Sequence, residues 1–364
     1  MLPVALLSFV LAATQFCTAK TFSRRAWTDS DILKYAENII ITTDAIPGLF
    51  LEIDVGENEV LVLADLSSAD LFIGGKLNGA DKWNVTTAEA LQNYPFFADP
   101  ISPIGNILQT TVSIGGKSAE QTFIFDSQNP FDDIVEAFPQ SPAVGVLGFG
   151  PTGESSIHSV LNTSHSPIDQ LLLTNATSPY VTFFFLGSDI TTNASGAVPA
   201  GFFSVGEHVD LQALLPTVDG LAPPDLSGIH AQPAVPLGFA NAFPLSQILL
   251  SGKDIPLSST AQGAASGGAG AVAVLATTSA HSLVPAGVAQ AIYGGVAGAA
   301  FDSASGLWRV PCGTRLTVEV VIANSTIVMQ DESVVLRTPG DAQQCEGAVR
   351  HHLSCPACPV MLST

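Results

Sequence analysis

Two stretches of this chain share one shape. Val62–Ile73 and Ala273–Ala280 each run an apolar strand into a short loop of small and hydroxyl-bearing residues. The first carries Asp65 where the second carries Ala276, a carboxylate against a methyl group. A repeat of this kind constrains the chain to a pseudo-symmetric pair of lobes, and it sets the functional question. The question is whether chemistry built for two acids survives with one.

The 364 residues suffice for two lobes with substantial cores. Hydrophobic residues make up 47% and charged residues 12%, with abundant Gly and Pro. That balance favours short strands joined by turns over long, charge-paired surface helices. A mainly β protein is expected. The 32 acids against 12 bases leave a formal charge of -20, which excludes a phosphate-binding surface and hence a nucleic-acid partner. The same balance suits solubility in acid, where carboxylates are neutralised.

Residues 1–19 read as a secretory signal peptide, an apolar run from Leu2 to Ala13 followed by Thr18 and Ala19, so an extracellular, secreted product is expected. Residues 20–45 read as an extended leader. Five sequons, at Asn84, Asn162, Asn175, Asn193 and Asn324, fit a glycosylated product. No later stretch is apolar and long enough to span a bilayer, so no membrane partner is expected. After loss of Cys17 the chain keeps Cys312, Cys345, Cys355 and Cys358, which allow three disulfide pairings in an oxidising compartment. A zinc site lacks ligands, with one C-x-x-C and only His351 and His352 nearby. No metal and no cofactor is expected.

Alternating residues at 49–55 and 59–64 around Gly56-Glu57-Asn58 signal a hairpin. Further strands are expected at 107–114, 121–125, 144–149, 180–186 and 202–205 in the first half. In the second half they are expected at 243–250, 272–275, 307–310, 316–322 and 333–336, around a helix at 286–296. Pro-rich Leu215–Pro236 reads as a surface connection, and Gly263–Gly270 as a loop. The lobes are expected to span 46–190 and 191–345.

The order of these segments resembles the pepsin-like aspartic proteases, in which each of two β lobes contributes one Asp from a D-T-G-S/T motif. Val62–Ile73 is similar to the first active-site strand and loop, and Gly145–Gly150 to the apolar-apolar-Gly segment threaded behind it. Gly201–Asp210 resembles the G-x-x-x-x-G-x-x-D segment, and Ala276–Pro285 the second active-site loop. Trp308–Cys312 resembles the strand that reaches the late disulfide, for which the resemblance implies a Cys312–Cys345 pair. It implies a bilobal pepsin-like acid protease fold around a central cleft, with Asp65 on the first catalytic position. A peptide or protein in the cleft is the implied partner, and a monomer the implied state.

Against that pattern, Ala276 stands at the second catalytic position, where it can neither accept nor donate a proton. The family's two carboxylates share one proton because like charges so close cannot both ionise, and both take part in the reaction. Ser67 and Thr278 replace the motif glycines, where a Cβ costs room. Leu66 replaces a Thr, while Thr277 keeps its counterpart. The flap, usually Tyr-Gly-x-Gly, reads Phe97-Ala98-Asp99-Pro100. The substrate-cleft set is therefore Phe97, Ala98, Asp99, Thr277 and Thr278. Residues 346–364 resemble none of the family's closing strands, so an irregular tail and an incomplete second lobe are expected, as in a misread gene product. His281, Asp70 and Asp302 read as solvated, turn or sheet-end residues. The expected function is that of a secreted pepsin-like aspartic peptidase homologue without activity. The alternatives are an active acid endopeptidase and a non-catalytic peptide-binding protein.

Overall fold

The computed structural model describes residues 39–43, 46–91, 104–128, 143–175, 181–185, 198–205, 232–234, 239–257, 271–276, 282–303, 305–322, 325–329, 334–336, 343–351 and 360–363. The fold is mainly β, as expected, and divides into two compact units, Met1–Leu226 and Ser227–Thr364.

The first unit contains β1 (Ile39–Thr43), β2 (Ile46–Val55), β3 (Asn58–Asp65), β4 (Leu71–Gly74) and β5 (Asn84–Leu91). It continues with β6 (Ile104–Ile114), β7 (Lys117–Asp126), β8 (Gly145–Gly148), β9 (Val181–Phe185) and β10 (Val198–Val205). Helices α1 (Ser156–Leu161) and α2 (Pro167–Asn175) follow β8. The β2–β3 hairpin turns at Gly56, whose φ of +62° favours a residue without a Cβ. Strands β6, β2, β3, β8, β4 and β7 pair in that order, and β6 also pairs β7, so the circuit closes into a barrel.

One ring of side chains runs round the barrel, one from each strand. Phe50 opposes Leu63, Leu63 opposes Val146, Val146 opposes Phe72, Phe72 opposes Ile124, and Ile124 opposes Ile107. All six are buried in one cluster with Ala90 of β5 and Ile157 of α1. The alternate face is buried as well, through Leu51, Val62, Ile53, Val60, Val112 and Ile114. Strands flanked on both sides need apolar residues on both faces, which is why Leu61–Ala64 does not alternate.

The second unit contains β11 (Gln232–Ala234), β12 (Phe239–Leu250), β13 (Lys253–Ile255), β14 (Ala271–Ala276), β15 (Ser282–Val284), β16 (Ala300–Asp302) and β17 (Leu307–Pro311). Then come β18 (Val318–Ile322), β19 (Ser325–Met329), β20 (Val335–Leu336), β21 (Gln344–Gly347), β22 (Val349–His351) and β23 (Val360–Ser363), with α3 at Ala286–Tyr293. Strands β16, β17, β21 and β20 form a small separate sheet, where Cys312 and Cys345 are joined by the expected disulfide.

The larger sheet of this unit carries the order β18-β12-β14-β23-β15-β22. Ranked by position in the chain, both six-strand paths read fourth, first, second, sixth, third, fifth. The directions match at every step: antiparallel, antiparallel, parallel, antiparallel, parallel. Each six-strand path therefore places the strand that comes last in it along the chain between the second and the third, with the same polarity. The sequence repeat thus begins on matching strands of the two paths, β3 and β14.

Four boundaries differ from expectation. The tail after Cys345, expected to be irregular, supplies β22 and β23, which flank β15 and complete the path. Ile39–Thr43, placed in the leader, pairs with β2 and β10. The unit division falls after Leu226 rather than at 190, because β10 pairs with β9 and β1 of the first unit. Gln232–Ala234, inside the expected Pro-rich connection, pairs with β12.

Buried Tyr293 of α3 ties the closing strands to the second unit: its hydroxyl donates to Val334 O at 2.6 Å and accepts from Val349 N at 3.0 Å. Tyr293→Phe leaves both backbone groups without that partner. It is expected to lower unfolding free energy by about 1–3 kcal/mol, measured by denaturant titration.

Candidate functional site

Asp65 is the last residue of β3, and the chain leaves it through residues 66–70 before entering β4. β8 runs between the two strands, parallel to β3 and antiparallel to β4. Backbone amides at its end and just beyond it hold the loop: Phe149 N donates to Asp65 O (2.9 Å), Gly150 N to Ser68 O (2.7 Å) and Gly148 N to Asp70 O (2.8 Å). A Cβ built on Gly148 would lie 2.6–2.7 Å from Asp70 N, Ala69 N and Ser68 C. Only glycine lets the loop pass so close.

The Asp65 side chain is fully buried. Its Oδ1 accepts from Ser67 N at 2.8 Å and from the Ser67 hydroxyl. Oδ2 is buried with no hydrogen-bond partner among the described residues; the neighbouring Ser68 hydroxyl, also buried, lies outside hydrogen-bonding geometry. Burial pushes the Asp65 carboxyl above the ordinary aspartate range, against the opposing pull of the Ser67 bonds. Ser67, expected to crowd a glycine position, fits without strain. The non-glycine residues with positive φ among those described are Asn162 and Ser251. Its added hydroxyl satisfies the one carboxyl oxygen that its own backbone already holds.

Asp70, read from sequence as a turn or sheet-end residue, does more. It is buried, and its Oδ1 accepts from the Ser155 hydroxyl at 2.5 Å while Oδ2 accepts from Ser156 N at 2.6 Å. Ser155 caps α1, its hydroxyl accepting from His158 N at 2.9 Å. The carboxylate thus pins the end of the Asp65 loop to the first turn of α1. Burial raises the Asp70 carboxyl as well, partly offset by these donors. The Ser155 cap is legible before an apolar turn, but nothing in the linear pattern connects it with residue 70.

In the second unit, Ala276 ends β14 as Asp65 ends β3. Residues 62–65 pair in register with 145–148, and residues 273–276 pair in the same direction with 360–363. Asp65 faces Gly148 and Ala276 faces Ser363. The links to the next strands, residues 66–70 and 277–281, have equal length. Topology and register place Ala276 at the position equivalent to Asp65 without reference to any outside motif.

Phe97, Ala98, Asp99, Thr277, Thr278, His281, Asn193, Asn324, Cys355 and Cys358 lie outside the described residues, as do residues 1–19 and Lys20–Tyr35. Asn84 and Asn162 are exposed, the latter as the left-handed C-cap of α1. Asn175 is also exposed and donates from Nδ2 to Ser118 O at 3.0 Å. Among the described residues no group of three or more His, Cys, Asp or Glu side chains is arranged to hold a metal ion. No described helix is long and apolar enough to cross a membrane. No protein-family model matches the chain, and no curated protein matches it.

The raised carboxyls fix a sign for the pH dependence of stability. The folded values of Asp65 and Asp70 lie above the unfolded ones. Their contribution is therefore fully present below the unfolded value of about 3.9 and is lost as pH rises through the folded values. The denaturant midpoint of the first unit is expected to fall as pH rises above about 4, and to fall less in Asp65→Asn. Equal falls in the two proteins would contradict the assignment.

Proposed function

We propose that this chain is a secreted homologue of the pepsin-like aspartic peptidases that no longer hydrolyses peptide bonds. The observation that carries the reading is the register equivalence of Asp65 and Ala276 at the ends of matching parallel ladders. Both the shared strand path and the positions of the two motifs agree with a bilobal scaffold of that kind.

The reaction of that family needs one carboxylate to take a proton from water and a second carboxyl to hydrogen-bond the scissile carbonyl. Ala276 supplies neither. The remaining acid is spent on its own loop: Oδ1 of Asp65 holds the Ser67 amide and hydroxyl, and the whole side chain is shielded from solvent. A buried acid with a raised proton affinity is a poor base for water at the pH where it stays protonated. These features favour a structural role for Asp65 over the rival reading of an active acid endopeptidase.

The purified protein is expected to leave denatured haemoglobin intact at acid pH. Cleavage that a statine-type transition-state mimic inhibits, and that Asp65→Ala abolishes, would overturn the reading. Secretion is tested separately. Produced by a secreting eukaryotic host, the protein is expected to lose mass on treatment with a peptide N-glycosidase, and to carry one glycan fewer in each of Asn84→Gln and Asn162→Gln. An unchanged mass would contradict it.

A further inference from the structure

The chain holds a single Asn-Gly pair, Asn78-Gly79, and the fold sets it in a turn between β4 and β5. The Asn78 side chain is exposed and, among the described residues, makes no hydrogen bond; its main chain is gripped instead. Asn78 N donates to Asn58 Oδ1 at 2.9 Å, and Asn78 O accepts from Asn58 Nδ2 at 3.0 Å. Asn58 Nδ2 also donates to Val55 O at 3.1 Å, so one side-chain amide clamps residue 78 to the β2–β3 turn. Gly79 has a φ of +73°, and nothing lies within 4 Å of the place where a Cβ would stand. No side chain therefore screens its amide nitrogen from the residue before it. The surroundings of other asparagines differ. Asn84, Asn106 and Asn162 precede the β-branched Val85, Ile107 and Thr163, which shield the next amide, and the Asn58 and Asn175 side chains are tied by hydrogen bonds.

We propose that Asn78 is a site of covalent modification: in the folded protein its side chain closes on the Gly79 amide and reopens as isoaspartate, which releases the β2–β3 turn from the Asn58 clamp. The Gly79 nitrogen gives its proton to solvent base and bonds to Asn78 Cγ. The bond from Cγ to the side-chain nitrogen breaks, and ammonia leaves. The product is a cyclic imide. Water then adds to one of its two carbonyls, and the bond from that carbon to Gly79 N breaks. Opening at the main-chain carbonyl leaves isoaspartate, with the chain running through the former side chain; opening at Cγ leaves aspartate. Water is the only co-reactant, and no electrons are transferred.

Isoaspartate acts on the fold because it lengthens the main chain. The N–H and C=O that Asn58 grips are then separated by one more carbon, and a single side-chain amide no longer meets both. The modified chain also gains a carboxylate. Because closure begins with loss of a proton from the Gly79 amide, the reaction quickens as pH rises, so the turn records time spent at neutral pH more than time spent in acid. None of this depends on the reading of the chain as a peptidase homologue.

The test incubates the purified full chain, folded, at neutral and at mildly acidic pH, and maps its peptides by mass spectrometry with fragmentation that tells isoaspartate from aspartate. Isoaspartate is expected to accumulate at residue 78 at least tenfold faster than at Asn84, Asn106 or Asn162, and faster at neutral pH. Its absence from residue 78 of the folded protein, by the time a urea-denatured sample has converted there, would overturn the proposal. So would aspartate alone, the product of direct hydrolysis. The isoaspartate form is then separated by anion exchange and compared with Asn78→Asp, which carries the same charge on an unlengthened main chain. Hydrogen exchange at the residue-78 amide is expected to be at least tenfold faster in the isoaspartate form. Equal rates in the two would overturn the release of the clamp.

Discussion

The packing of residues 66–70 over Gly148 is the contact on which the first unit's site depends. It requires a glycine, since any side-chain carbon would meet three backbone atoms at less than 3 Å. It lets β8 lie between β3 and β4, which closes the barrel, and it sets the amide of Ser67 against the Asp65 carboxyl. At the far end of the loop, Asp70 takes up the hydroxyl of Ser155 and the amide of Ser156 and fixes the start of α1. Two buried acids therefore frame one loop, and each is hydrogen-bonded by a serine side chain and a backbone amide. Burial of both raises their proton affinity, so their contribution to stability is greater at low pH than at neutral pH.

The second unit reproduces the path and polarity of the first in six strands. In the first unit the path closes through β6 and β7, joined as a hairpin; in the second, the small disulfide-linked sheet and β19 intervene in the chain between β18 and β22. The shared path gives the Asp65 to Ala276 comparison its force. Without it, Ala276 is one alanine at a strand end; with it, Ala276 occupies the position at which the first unit places its buried acid. The absence of a match to known families leaves this internal comparison as the support for the functional reading.

Much of the first unit was legible in the sequence because its signals are local. Gly56-Glu57-Asn58 between alternating runs marks the β2–β3 hairpin, and Gly145–Gly148 is apolar and bounded by glycine. The unread parts depend on distant pairings. Val349–His351 and Val360–Ser363 are strands of three and four residues, separated by a Cys- and Pro-containing stretch, and they become strands by flanking β15 some seventy residues upstream. β5, Asn84–Leu91, carries Thr86, Thr87 and Ala88 where a clear alternation would need larger apolar residues. The role of Asp70 was hidden for the same reason, since Ser155 is 85 residues away. Ser67 shows the reverse case: its identity was read as a loss of room, while the backbone has no positive φ there and the hydroxyl gains a bond.

The central proposal is that Asp65 is a buried structural acid with no carboxyl at position 276 to share its proton. A carbon-13 titration of its carboxyl tests this most directly, because two interacting acids titrate in two coupled steps while a single one titrates in one. The expected result is one step, with a midpoint above the ordinary aspartate range and unchanged by a saturating statine-type mimic. Two coupled steps, or a midpoint displaced by the mimic, would show a partner acid or a peptide in contact with Asp65 and would contradict the account.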